Sequence, residues 1–147
     1  MRVSIRNLFI LCILPFCVSA QQRTQIGAPV ENFRLPIFGE NGNRIWDLRG
    51  EVGIYQDDQT IAVERMILRT FPEDDPQNPE LIIESPQAVI VPAESRAHGD
   101  AYLFLQATDG SYAIVGRQWE WFNEEQRITI GSDARVTFRQ KIGSILE

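Results

Sequence analysis

Residues 112–138, YAIVGRQWEWFNEEQRITIGSDARVTF, restrict what this chain can become more than any other stretch. Trp119 and Trp121 stand on either side of Glu120, Ile128 and Ile130 flank Thr129, and Ala134, Val136 and Phe138 alternate with Arg135, Thr137 and Arg139. Successive side chains of a strand point to opposite sides of the pleat, so this alternation gives each run one apolar and one polar face. Between the runs, residues 123–126 are polar and charged, while Gly131, Ser132 and Asp133 suit a positive φ and side-chain-to-backbone hydrogen bonds. The stretch reads as three strands and two turns, a meander in a curved antiparallel sheet. It carries no catalytic signature.

The same grammar runs through the rest of the chain. Phe33, Leu35 and Ile37 alternate, residues 39–43 form a turn around Asn41-Gly42, and Arg44, Trp46 and Leu48 resume the alternation, which is the signature of a hairpin. Pro36 cannot donate a ladder hydrogen bond and places its strand at an edge. Gly50 and Gly53 suggest a bend or bulge. Residues 60–71 (TIAVERMILRTF) also suit a helix through Ile61, Arg65 and Leu68, but their β-branched content and the polar turn at 56–59 favour a strand, with Ile61, Val63 and Ile67 on one parity. Residues 72–80 are a loop of prolines and acids, and Glu73, Asp74 and Asp75 lack the ordered ligand spacing of a calcium loop. Short β-rich runs at 81–84 and 87–91 are separated by Ser85-Pro86. Residues 93–99 read as a polar connection holding the only histidine, His98, and 101–107 as a further strand. About ten to twelve short strands at this spacing make an all-β protein built on a rolled antiparallel sheet, sandwich or barrel.

The amino terminus has the form of an export signal. Arg2 and Arg6 precede an apolar run at 8–18, and Val18-Ser19-Ala20 offers the small residues a signal peptidase reads, so cleavage is expected after Ala20. The run is shorter than the roughly 20 apolar residues of a spanning helix, although an uncleaved inner-membrane anchor remains the alternative. Cys12 and Cys17 both lie within it, so the exported chain holds no cysteine and must fold by packing alone. The domain reading is a signal peptide at 1–20, a flexible lead-in at 21–32, and one domain at 33–147. Of 14 basic residues, Arg2 and Arg6 leave with the signal, while all 20 acids stay, and so acidic a surface disfavours nucleic acid.

No phosphate loop, elbow serine or metal-ligand pair is present, and the chain is read as a non-enzyme without cofactor or metal. Glu120 with Glu124 or Glu125 is the nearest approach to the carboxylate pair of glycoside hydrolysis. However, Glu120 alternates away from the tryptophans, and the other two fall in a turn.

Residues 33–50 (FRLPIFGENGNRIWDLRG) and 128–138 (ITIGSDARVTF) resemble the periplasmic lipopolysaccharide-transport proteins of the LptC and LptA (OstA-like) group. The shared features are an opening strand, turn and aromatic strand, and repeats of the form I-x-I and V-x-F. The short, removable leader departs from the LptC branch, which usually keeps a membrane helix. The resemblance implies an open β-jelly roll whose apolar interior takes the acyl chains of lipopolysaccharide or a related lipid. It also implies a periplasmic location and an edge-to-edge β-partner of the same transport system. On that reading the lipid groove is lined by Trp46, Ile61, Val63, Trp119, Trp121, Ile128, Ile130, Val136 and Phe138. The alternative is a secreted β-sandwich module for carbohydrate binding or adhesion, with Trp46, Trp119 or Trp121 as an exposed stacking platform.

Overall fold

A computed structural model describes residues 26–139; the expected signal peptide at 1–20, the start of the lead-in and the tail at 140–147 lie outside the described residues. Strands β2 (Arg34–Phe38) and β3 (Arg44–Arg49) form the expected hairpin. In its turn Gly42 takes φ +77° and its N–H donates to the Gly39 carbonyl at 3.0 Å, while the Asn41 side-chain oxygen accepts from the Asn43 N–H at 2.9 Å. β2 pairs only with β3, so the strand of Pro36 is an edge. The pairing continues past the hairpin, with β1 (Pro29–Glu31) on β4 (Val52–Tyr55). Between the two halves the Asn32 N–H reaches the Glu51 carbonyl at 2.8 Å and the Gly50 N–H reaches that of Phe33 at 3.0 Å. The lead-in expected over 21–32 therefore ends before Pro29, because the register set by the hairpin carries on through Asn32.

β5 (Ile61–Thr70) pairs with both β3 and β4, which fixes residues 60–71 as a strand rather than a helix. β6 (Leu81–Val91) runs through Ser85-Pro86 as one strand along β5, correcting the expected pair of short runs. β7 (Arg96–Gly99) and β8 (Leu103–Ala107) lie end to end between β6 and β9 (Tyr112–Phe122). His98 thus sits on a strand, opposite Val89 and Glu120, and not in a surface loop. The connection is shorter than expected because a 3-10 turn at Pro92–Glu94, with Ser95 in the left-handed region, reverses the chain at once. β10 (Arg127–Phe138) pairs with β9 over its whole length. Residues 131–133 are accordingly not a turn. Asp133, at φ +54°, makes a bulge that shifts the register between Ser132 and Arg135 without reversing the chain.

The ten strands of the described residues belong to one antiparallel sheet, in which neighbours follow sequence order once β1–β2, β3–β4 and β7–β8 are each taken as one broken strand, and the sheet is rolled. The roll has a local cause. Asn32, Arg65, Gln118 and Asp133 all take positive φ, the β3–β4 path breaks at Gly50-Glu51, β6 carries Pro86, and the β7–β8 path breaks at 100–102. Register places these interruptions beside one another, so a crease crosses the sheet. On β5, β6 and β9 the buried face changes parity there. On β5 the buried set moves from Ile61 and Val63 to Met66, Leu68 and Thr70, leaving Ile67 on the outer face. On β6 it moves from Leu81, Ile83 and Ser85 to Ala88 and Ile90. Bulges of this kind bend strands and strengthen their twist, and here they act together. The two ends of the sheet are thereby brought together: Asn41 and Phe71 from one end and Asn123 and Gln126 from the other border a single hollow.

A side chain in the left-handed region costs about 1–2 kcal/mol for most residues, and asparagine escapes much of that cost. Arg65 pairs with Glu51 on the surface, a contact of little worth. Because Arg65 already bears that cost, Arg65→Asn is expected to leave stability unchanged or raise it by up to about 1 kcal/mol, and the β-branched Arg65→Val, more strained still in this region, to lower it by about 1 kcal/mol. Urea denaturation of the two variants checks this. Equal midpoints would mean that the crease does not depend on the Arg65 backbone.

Candidate functional site

The interior is one apolar cluster drawn from both sides of the crease. Trp46, Ile61, Val63, Trp119 and Trp121 are all buried in it, with Leu48, Leu68, Ile83, Ile90 and Leu105. Ile128 and Ile130 are half-buried and pack against the cluster, placed by their ladder partners Trp121 and Trp119. Of the residues expected to line a groove, these seven come together. Val136 and Phe138 do not join them. They pair with Ile114 and Tyr112, which do pack on the cluster, and so share the inward face, yet they are 49% and 76% exposed. The Phe138 ring keeps one aromatic contact, tilted against Tyr112 at 6.5 Å. The difference is positional: among the described residues β10 pairs on one side only, and beyond the bulge at Asp133 its inward face lies at the open margin of the roll.

The tryptophans are core residues in this fold. Their exposures are 0%, 2% and 2%, so their rings form no stacking platform on the surface. The indole N–H groups of all three, and the Thr70 hydroxyl, are buried without a protein hydrogen-bond partner. A donor left this way costs about 1–3 kcal/mol, which the surrounding apolar burial has to offset.

Of the three glutamates considered as a catalytic pair, Glu120 and Glu125 are spent on ion pairs. Arg96 on β7 donates through Nη1 to Glu120 at 2.7 Å and through Nε approaches Glu94 at 2.8 Å. The hydrogen bond to Glu120 is the main cause of the raised Arg96 pKa, and burial works against it. Arg127 Nε lies 2.7 Å from Glu125 and holds that carboxyl below its ordinary range. Glu124 is exposed in the turn between β9 and β10. Asp75 is likewise held low, chiefly by the Asn78 side chain, as the cap of its own loop. Among the described residues no three His, Cys, Asp or Glu side chains gather to hold a metal ion.

One feature escapes a reading of the sequence. On the outer face, where β7 gives way to β8 beside Ser85 and Pro86, a groove of about 590 Å³ opens over Met66, Leu103, Phe104 and Val115. The exposed Tyr102 and Phe104 were the only available signal, and strand alternation alone does not show that neighbouring strands part company there.

Fold and site together define an all-β protein of one rolled, creased antiparallel sheet, with a filled apolar core and an apolar margin on β10 that nothing among the described residues covers. The chain matches no protein-family model and no curated protein.

Proposed function

We propose that the protein is a periplasmic lipid carrier that takes the acyl chains of lipopolysaccharide or a related lipid on the inward face of its sheet and passes them toward the outer membrane. The observation that carries this reading is the uncovered margin. From the buried cluster the apolar face passes through Ile114 and Tyr112 to the exposed Val136 and Phe138 at an unpaired strand edge. An acyl chain laid there, burying a few hundred Å², gains several kcal/mol at about 25 cal/mol per Å². Transfer by this route forms and breaks no covalent bond.

Among the described residues, both margins of the roll, β1–β2 and β10, also lack a further strand partner and could accept one. Because the two margins differ, joining one to the other extends head to tail, by main-chain strand addition. A partner with a similar sheet would prolong the apolar face from one molecule to the next.

A photo-crosslinking residue at Val136 or Phe138 is expected to capture lipopolysaccharide in growing cells, and one at Thr129, exposed opposite Glu120, is not. Equal capture from both faces, or none from either, would sink the reading.

A further inference from the structure

We infer that the outer face carries a second site, which the carrier reading does not use, for an amphiphile with one aliphatic chain and an anionic head group. The crease creates it. β6 pairs with β7 through Val89, Ile90 and Val91 and with β8 through residues 81–84, so neither strand pairs with Ser85 and Pro86. Where the strands part, Met66 and Leu103, both core residues, form the floor of the 590 Å³ groove. Tyr102 and Phe104, 56% and 38% exposed, form one wall. A volume of this order is that of small-molecule sites, about 300–1,000 Å³. Nothing among the described residues covers it.

The charge around the groove selects the head group. One row of ladder neighbours on this face reads Arg49, Ile67, Glu84, Phe104, Val115 and Arg135. Arg34, Arg65, Arg69 and Arg117 lie beside it, against the carboxylates of Asp47, Glu51 and Glu84, on a chain whose net charge is −6. Arg49 and Arg69 share Asp47, and Arg65 is taken by Glu51. Arg117, stacked over the Tyr102 ring at 5.2 Å, and Arg135, the ladder neighbour of Val115, engage no carboxylate among the described residues. They stand at the Tyr102–Val115 end of the groove. A chain lying in the groove thus brings an anionic head to two available guanidinium groups, the donor best matched to a carboxylate or phosphate. Glu84, in the groove itself, faces the aliphatic part and disfavours a head group seated there.

Fluorescence titration of the purified protein with cis-parinaric acid tests this. In a Phe138→Asp background, which disables the carrier margin, saturable binding at the outer groove is expected, weakened by about tenfold or more on adding Phe104→Glu or Tyr102→Ser, and unchanged on adding Thr129→Ala. The double variant Arg117→Gln/Arg135→Gln is expected to lose several-fold in affinity for the acid and nothing for its methyl ester. Tyr102 lies in the connection between β7 and β8, so its variant keeps the test informative if Phe104→Glu fails to fold. Absence of binding, binding that survives both Phe104→Glu and Tyr102→Ser, or a methyl ester bound as tightly as the acid would each overturn the proposal. Loss of binding in Phe138→Asp alone would overturn it while leaving the carrier reading standing.

Discussion

Trp46→Ala is expected to lower the stability of this protein by about 3–5 kcal/mol, the range for removing a large aromatic side chain from a packed core. Trp46 has no exposed surface, and its ladder partners are Ile37 at the edge of the sheet and Thr70 at the end of β5. It lies in the same cluster as Trp119 and Trp121, which come from the other side of the crease. Its loss leaves a cavity that the bent backbone cannot close by sliding, because β3 is held by ladders on both sides. Trp46→Phe separates volume from polarity. It gives up part of the packing but also removes an indole N–H that is buried without a partner, so its cost is expected to be much smaller than that of alanine. Chemical denaturation followed by circular dichroism checks both. A Trp46→Ala protein within about 1 kcal/mol of the parent would contradict the burial assigned to this ring.

The second large effect comes from a single step along β8. Leu105 is buried between Ile83 on β6 and Ile114 on β9, whereas Phe104, the next residue back, faces outward. Leu105→Asp places a carboxylate in the apolar interior with no cation to meet it, an effective penalty of several kcal/mol. Burial raises the pKa of such a carboxyl in the folded state above its unfolded value of about 3.9. A raised folded pKa means that stability is fully present below the unfolded pKa and is lost as pH rises through the folded one. The variant is therefore expected to unfold at neutral pH and to regain structure on acidification. Phe104→Asp is expected to cost about 1 kcal/mol or less and to show no such pH dependence. If the two variants behaved alike, the inward and outward faces of β8 would be wrongly assigned.

Period-two alternation was enough to place the first hairpin and the apolar face of Trp119, Trp121, Ile128 and Ile130, because within an uninterrupted strand the side chain that points inward is decided by the backbone alone, while β-branched content and the turn before it placed the strand at 61–70. Pro36 marked its own strand as an edge for an equally local reason. What the sequence left undecided are the places where alternation fails. Gly131-Ser132-Asp133 has the chemistry of a turn, and Asp133 does take a positive φ, yet the chain continues as one strand because β9 is already in place as its partner. Ser85-Pro86 looks like a terminator, but β5 holds both sides of it in one register. Ile67 shares parity with Ile61 and Val63 and still faces outward, since Arg65 between them reverses the pleat. Each interruption is a local weakness in one strand, and only the side-by-side alignment of all of them across the sheet makes a crease. That alignment is set by register between distant segments. It buries the three tryptophans, leaves Val136 and Phe138 at the open margin, and opens a groove on the outer face between strands that no single segment could reveal.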